Sequence, residues 1–201
     1  MGIARTGAPV RGPGVSGVLN VEITPELAVR LAGAYATTLK KGATVTTARD
    51  HSRGARALKR AVISALQTSA IDVRDLENVP LPVARQQTAR GSAGGIMIRT
   101  SPGCPTRSTS CSSTSGARIS QARQRKLDRV YARQEYRRAF PGEIGDLHFP
   151  SSVFDSYTGS LLRNVDTAGI ADAGLKVVVD ASNGSAGLYC PACSGGSGWM
   201  P

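Results

Sequence analysis

Acidic residues, histidines and aromatic rings are all scarce in this sequence. There are 14 Asp and Glu against 25 Lys and Arg, with 2 His, so the formal net charge is +11 at pH 7. Aromatic residues make up 4% of the chain, and a hydrophobic core must therefore be built mainly from Val, Leu, Ile and Ala. The excess of positive charge is compatible with anionic ligands, among them nucleic acids and sugar phosphates.

Long hydrophobic runs are also absent. No apolar stretch approaches the roughly 20 residues that span a bilayer. Residues 1–13 are rich in Gly, Pro and Arg and lack the hydrophobic stretch of a secretory signal, so they predict a flexible tail. We therefore expect no membrane partner and a cytoplasmic location.

The cysteines do not form a recognisable metal-binding pattern. Cys190 and Cys193 have the Cys-x-x-Cys spacing of a redox motif or of half a zinc site. Cys104 and Cys111 have six residues between them, which is too wide for a second zinc knuckle, and no histidine lies near either pair. The spacing therefore predicts no metal site and no redox chemistry.

Much of the positive charge is concentrated between Arg118 and Arg138. This stretch has 8 basic residues and only two acids, Asp128 and Glu135. A nucleic-acid interface is one interpretation, but no groove-reading motif accompanies the charge. We expect a solvated helix face instead, and a surface that attracts anionic sugar phosphates fits the charge equally well.

Strand and helix patterns alternate along the first half of the chain. Residues 43–48 are rich in β-branched side chains and predict a buried strand, and residues 71–76 alternate as a strand. Residues 15–23 and 96–98 predict two more strands. This alternation predicts an α/β fold, arranged as a three-layer α/β/α sandwich.

Helix-start signals precede the apolar stripes of the predicted helices. Thr24 is an N-cap candidate followed by proline, and Ser52 and Ser120 hold the same capping position before their own stripes. We expect the first helix to end at 40–42, where two lysines and a glycine suit a helix C-terminus. The helix after Ser120 is expected to continue to about Ala139.

Residues 105–117 interrupt this pattern. The segment is rich in Ser and Thr, without periodicity, which is typical of a disordered loop. A GC-rich back-translation shifted by one nucleotide instead reads Asp-Ser-Val-Asp-Ile-Met-Phe-Phe-Asp-Glu-Arg-Gly, which predicts a strand followed by a turn. Residues 193–200 give a helix end when they are shifted in the same way. We therefore hypothesise two frameshifted patches, which the codons of the gene would test.

The last third of the chain has a weaker pattern. Residues 140–174 predict loops with one helix around 157–162. Residues 175–180, Leu-Lys-Val-Val-Val-Asp, predict a buried strand, and 182–184 predict a turn. A new strand–helix unit is therefore expected to begin here.

Two predicted strand ends have polar residues suited to phosphate chemistry. In Gly94–Ser101, Gly-Gly-Ile-Met-Ile-Arg-Thr-Ser, an apolar strand ends at a serine, and residues 47–53 read Thr-Ala-Arg-Asp-His-Ser-Arg. Loops at the carboxyl ends of strands are where α/β proteins bind ligands. These segments resemble the first domain of the phosphoglucomutase/phosphomannomutase family, and residues 175–187 resemble the opening of its second domain.

The resemblance covers roughly residues 14–190 and implies an intramolecular phosphotransferase, an isomerase of hexose phosphates. Ser101 occupies the catalytic phosphoserine position, and Arg49, Arg53 and Arg99 are the residues expected to bind phosphate or substrate. The family has His and Asn after this serine, where this chain has Pro102 and a glycine. The family holds Mg²⁺ on an Asp-rich loop of its second domain, which this sequence lacks, so we expect no cofactor in this chain.

Four segments are expected on this basis: a tail (1–13), a phosphohexomutase-like domain I (14–140), a linker region (141–173) and a truncated start of domain II (174–201). The altered serine loop most resembles the mutase-like half of bacterial mannose-1-phosphate guanylyltransferase fusions. We expect a fragment whose full-length relatives bind hexose phosphate and which is inactive alone. The alternatives are a non-catalytic regulatory or scaffold module of the guanylyltransferase and a basic nucleic-acid-binding protein. The oligomeric state is left open.

Overall fold

A mixed β-sheet forms the centre of the protein. In a computed structural model of the chain, the described residues are 14–101, 104–114, 117–180 and 184–188. Within these ranges one seven-stranded sheet has helices on both faces. The backbone alone is described for Ser101, 104–114, 117–118, Ala186 and Leu188.

The sheet combines parallel and antiparallel pairing. Its order is β1-β5-β4-β2-β3-β7, with β6 beside β5. β2, β3, β4 and β7 run parallel, whereas β5 is antiparallel to β1, β4 and β6. The carboxyl ends of β2, β3 and β4 therefore meet at one edge. The strands are β1 (Gly14–Val18), β2 (Thr44–Arg49), β3 (Asp72–Asn78), β4 (Gly94–Ser101), β5 (Cys104–Thr114), β6 (Ala117–Arg118) and β7 (Leu147–His148).

Helices cover the sheet on both sides, which confirms the predicted α/β/α arrangement. α1 and α2 pack together on one face, with α4 against α1, and α3 packs with α5 on the other face. None of the helices in these ranges combines the length and apolar character needed to cross a membrane. The helices are α1 (Pro25–Thr37), α2 (Arg53–Gln67), α3 (Leu81–Ala89), α4 (Gln121–Arg133), α5 (Val153–Leu162) and α6 (Thr167–Asp172), with short 3₁₀ helices at Pro141–Glu143 and Ser185–Leu188.

Each sheet face has its own hydrophobic cluster. Tyr35 and Leu66 are almost fully buried with Ile98 on the α1/α2 face. On the α3 face Val83 packs with Met97. Because successive side chains of a strand point to opposite faces, β4 contributes to both clusters.

All three predicted N-caps are confirmed. The Thr24 hydroxyl accepts a hydrogen bond from the Leu27 amide at 3.3 Å, and the Ser52 hydroxyl accepts one from Ala55 at 3.1 Å. The Ser120 hydroxyl accepts one from the amide three residues later. These bonds satisfy amides that the first turn of a helix leaves without a partner.

Two predicted helix ends are wrong. α1 ends at Thr37, and Gly42 (φ +72°) lies in the turn before β2, where its amide donates to the Ala70 carbonyl. α4 ends at Arg133 and not near Ala139. The helix stops because Gln134 adopts a left-handed conformation (φ +56°), after which the Arg137 amide donates to the Thr37 hydroxyl at 2.9 Å.

The loop prediction for residues 105–117 is also wrong. This segment forms most of β5, whose backbone pairs with β1 on one side and β4 on the other. Ladder hydrogen bonds on both sides satisfy the backbone polar groups, which compensates for the low apolar content of the segment. A strand at this place agrees with the shifted reading frame, while the frameshift itself stays a prediction.

The strand predicted at 175–180 is not formed. Leu175 is 64% exposed and Val178 is 99% exposed, and the segment pairs with no strand in the described part of the chain. An apolar segment forms a strand only when a neighbouring strand provides hydrogen-bond partners for its backbone. The apolar pattern alone therefore did not suffice to predict a strand here. β1 is shorter than predicted because the chain turns at Asn20 (φ +59°).

Several other expectations have mixed outcomes. The predicted helix around 157–162 is present as part of α5, and α6 lies in a region expected to be loop. The tail at 1–13, the first two residues of the turn at 182–184 and the Cys190–Cys193 pair lie outside the described residues. The four segment boundaries stay a prediction.

Candidate functional site

The carboxyl ends of three parallel strands meet at one edge of the sheet. In the strand register Arg49 pairs with Ile98 of β4 on one side and with Asn78 of β3 on the other. The loops that follow β2, β3 and β4 are therefore neighbours. Ligands of open α/β sheets bind at such an edge.

Asp50 links the end of β4 to the start of α2. Its carboxylate accepts a hydrogen bond from the Thr100 amide at 2.6 Å and one from the Ser52 amide at 2.9 Å. Its own amide donates to the Ile98 carbonyl at 3.0 Å. Burial opposes ionisation of this carboxyl group, but the hydrogen bonds from Thr100 and Ser52 outweigh it and lower the pKa of Asp50. The ionised carboxylate therefore fixes the backbone just before Ser101.

Ser101 is the last residue of β4. Its backbone pairs with Cys104, and the register shifts between Thr100 and Ser101. Ser101 therefore lies at the end of the strand, as predicted from the sequence. It directly follows Thr100, whose amide donates to the Asp50 carboxylate.

Arg49 lies at the same edge, but its guanidinium is already engaged. Nη1 donates to the Asp50 carbonyl at 2.9 Å, and Nη2 lies 3.0 Å from Oε2 of Glu77. The side chain is 9% exposed, and its buried Nε has no hydrogen-bond partner within the described ranges. In this geometry Arg49 braces the loop after β2 and pairs with Glu77 of β3.

Glu77 joins Arg49 to a second, deeply buried ion pair. Lys59 Nζ lies 2.9 Å from Glu77 Oε1 and 2.6 Å from Asp75 Oδ2. Glu77 adopts a left-handed backbone conformation (φ +58°) that a non-glycine residue rarely takes. Burial raises its pKa, but the hydrogen bonds and charges of Lys59 and Arg49 outweigh this and lower the pKa of Glu77.

The other two predicted arginines occupy different positions. Arg53 is exposed at the first turn of α2, directly after the Ser52 cap and close in sequence to Asp50. Arg99 is half-buried, and its Nε has no partner among the residues described. It follows Met97 at the two-residue period of β4 and so lies on the α3 face, opposite Arg49. The structure therefore brings Arg53 and the end of β4 to one edge but separates Arg49 from Arg99.

Sequence reasoning missed two contributors to this edge, Ser185 and Lys59. The Ser185 hydroxyl donates to Asn78 Oδ1 at 2.8 Å, so residues 184–188 return to the end of β3. Lys59 was assigned to no site. Asp50 was not missed: the family resemblance places it with Arg49 and Arg53 in an element that supports the serine loop, and its bond to the Ser52 amide is an Asx turn.

The carboxylates at this edge, Asp50, Asp75 and Glu77, do not fit a Mg²⁺ site. Asp50 is held by two amides, while Asp75 and Glu77 are neutralised by Lys59 and Arg49. No cluster of three or more His, Cys, Asp or Glu able to hold a metal occurs within the described ranges.

Comparison with known proteins identifies the relationship. The family model for phosphoglucomutase/phosphomannomutase, alpha/beta/alpha domain I, matches residues 10–138. The chain belongs to this family. It is 30% identical over 184 residues to a phosphoglucomutase/phosphomannomutase of Thermococcus kodakarensis, covering 89% of this chain and 40% of the relative. It is 28% identical over 180 residues to a probable phosphoglucosamine mutase of Pyrococcus abyssi, with 89% and 39% coverage.

A solved structure shows the same fold. A phosphoglucomutase/phosphomannomutase family protein from Burkholderia thailandensis superposes with a TM-score of 0.73 at 20% identity, covering 92% of this chain and 41% of that protein. The chain thus spans about 40% of the length of its relatives. The phosphohexomutase fold and family predicted from the sequence are confirmed.

Proposed function

We propose that this chain supplies the phosphoserine loop of a phosphohexomutase, with Ser101 as the residue that receives the phosphoryl group. The observation that supports this most strongly is the pair of hydrogen bonds that the Asp50 carboxylate accepts from the Thr100 and Ser52 amides. These bonds fix the Thr100 amide beside the start of α2, where backbone N–H groups and the helix dipole favour a phosphate.

The residues around Ser101 have separate roles in this proposal. The Ser101 hydroxyl takes a phosphoryl group from a phosphorylated hexose and returns it to a different hydroxyl of the sugar. Arg53 is the exposed cation at this edge and contacts the transferring phosphate. Arg49 acts as a positioning residue through Asp50 and Glu77, and Arg99 adds positive charge from the α3 face.

We propose hexose phosphate as the ligand and expect no isomerisation by this chain alone. Its sequence corresponds to about 40% of the length of its relatives, and the resemblance places the Mg²⁺ loop and the sugar-binding segments in the remainder.

We also propose a cytoplasmic location, which cell fractionation tests. The proposed fusion to a guanylyltransferase is tested by the flanking DNA.

Incubation with glucose 1,6-bisphosphate or mannose 1,6-bisphosphate tests the role of Ser101. We expect phosphate on the peptide that contains Ser101, detected by mass spectrometry, and none in Ser101→Ala. The exposed Ser151 lies outside this edge, so Ser151→Ala is the control and should leave phosphorylation unchanged. A coupled isomerisation assay on mannose and glucose phosphates should show no turnover.

Three outcomes would change this assignment. Robust turnover by the purified chain contradicts the proposed inactivity. Hexose-phosphate binding without phosphorylation supports a non-catalytic regulatory or scaffold module instead. Steeply salt-dependent duplex binding without sugar-phosphate binding supports the nucleic-acid alternative.

A further inference from the structure

A polar groove lies beside the candidate site, on the α2 face of the sheet. It is bounded by α2 on one side and by the β3–β7 edge on the other, with a volume of about 480 Å³. This volume is within the range of small-molecule pockets, roughly 300–1,000 Å³. The groove shares Arg49 and Glu77 with the candidate site, whereas Arg53 does not line it.

The floor of the groove is close to electrically neutral. Lys59 and Arg49 supply two positive charges, and Asp75 and Glu77 supply two negative charges at hydrogen-bond distance from them. This network is internally paired apart from the buried Arg49 Nε. The floor therefore shapes the groove without strongly favouring either sign of ligand charge.

The α2 wall adds positive charge that the network does not balance. Arg56 and Arg60 line the groove and are exposed, and the i,i+4 spacing places them on one side of the helix. Neither forms an ion pair with a carboxylate within the described ranges. Two adjacent guanidinium groups match the charge and the acceptor geometry of a phosphate dianion.

The opposite wall is apolar and accessible. Phe149 is 62% exposed and Leu147 is 37% exposed, and both line the groove on the β7 side. An exposed aromatic ring favours a ligand with a planar ring of its own, because stacking removes apolar area from water. The groove thus presents cations on one side and an aromatic surface on the other.

We propose that this groove binds a nucleoside 5′-monophosphate. Arg56 and Arg60 bind the phosphate, and Phe149 stacks on the base. A bare phosphate satisfies only the cationic wall, and an unphosphorylated nucleoside satisfies only the apolar wall, so each binds more weakly than the whole ligand.

Isothermal titration of the full chain tests this proposal with three probes: adenosine 5′-monophosphate, inorganic phosphate and adenosine. The nucleotide should bind saturably and more tightly than either part. In the double variant Arg56→Gln/Arg60→Gln, nucleotide affinity should fall at least about tenfold, because two charged hydrogen-bonding groups are removed. Phe149→Ala should weaken the nucleotide while leaving inorganic phosphate unchanged.

The control removes the same charge from another surface. Arg125 and Arg129 are exposed on α4 with the same i,i+4 spacing, so Arg125→Gln/Arg129→Gln should change the affinity by less than about twofold. Circular dichroism confirms that each variant is folded. The proposal is overturned if the nucleotide does not saturate at millimolar concentration, if the Arg56/Arg60 variant binds as tightly as the unaltered chain, or if the α4 variant loses as much affinity. Because Ser101 is unaltered throughout, these results are independent of its phosphorylation.

Discussion

Lys59 and Asp75 form an ion pair in the interior of the protein. Nζ of Lys59 lies 2.6 Å from Oδ2 of Asp75, and the two side chains are 3% and 2% exposed. Such a pair spans α2 and β3, because Lys59 is a helix residue and Asp75 is a strand residue. Removing one partner leaves a buried charge without compensation.

Lys59→Met should therefore lower the free energy of unfolding by about 3–5 kcal/mol, measured by urea denaturation. The double variant Lys59→Met/Asp75→Leu removes both charges and should recover most of this loss. A single variant within about 1 kcal/mol of the unaltered chain would show that the pair is not buried as described.

Asp50→Asn should loosen the connection between α2 and β4. An amide side chain can accept from one of the Thr100 and Ser52 amides but carries no charge, so we expect a loss of about 1 kcal/mol in urea denaturation near neutral pH. Phosphorylation of Ser101 should also decrease in this variant, because the Asp50 carboxylate holds the Thr100 amide next to that serine. Asp155→Asn is a suitable control, because this carboxyl group is exposed on α5.

The Asp50 effect should depend on pH. Because the pKa of Asp50 is lower in the folded chain than its unfolded value of about 3.9, its stabilising contribution is complete above that pH. The contribution is lost as the pH falls through the folded pKa. The stability difference between the unaltered chain and Asp50→Asn should therefore shrink below about pH 4. A difference that stays constant down to pH 2 would contradict ionisation as its cause.

Arg137 links the C-terminal end of α1 to the C-terminal end of α2 through hydrogen bonds. Its guanidinium donates to the carbonyls of Ser69 at 2.7 Å, Leu39 at 2.9 Å and Ala36 at 3.0 Å. Burial lowers the pKa of Arg137, but an arginine stays charged at neutral pH. Arg137→Met should cost about 2–3 kcal/mol in thermal or urea unfolding, because these helix-end carbonyls lose a charged donor.

The neighbouring arginine provides the matched control. Arg138 is exposed, and Arg138→Met should change stability by no more than about 0.5 kcal/mol. Equal effects of the two substitutions would indicate that net charge, and not the three carbonyl contacts, decides stability.

Gly145 is required by close contact between two backbones. A Cβ atom at this position would lie 2.0 Å from the Ile71 carbonyl oxygen, and the Gly145 amide donates to the Gln67 carbonyl at 3.1 Å. Gly145→Ala should therefore displace the segment before β7 and destabilise the chain by about 2 kcal/mol or more. Gly142 has open space around it, so Gly142→Ala should be tolerated. Equal melting temperatures for the two variants would contradict the close approach.

Local signals predicted a large part of the fold. The caps at Thr24, Ser52 and Ser120 depend on residues three positions apart, so the sequence shows them directly. The parallel strands were also predictable, because buried β-branched segments have a distinct composition. The family resemblance then located Ser101 at the end of β4.

The remaining features depend on residues distant in sequence. β5 is a strand because β1 and β4 pair with it, and nothing in its own composition indicates this. Lys59 reaches Asp75 and Glu77 across two elements, so spacing alone could not reveal the network. The same dependence explains why the strand predicted at residues 175–180 is wrong. The segment has an apolar composition, but no strand within the described ranges lies beside it to pair with.

The position of β1 has a consequence for the order of assembly. Within the described sheet β1 pairs with β5 alone, and the register joins Gly14 to Cys111. During synthesis β1 is made long before its docking partner β5, so it has no strand to pair with until β2, β3 and β4 have also been made. Closing so long a loop is slow, and β1 is therefore expected to join the sheet only after β2, β3 and β4 have paired.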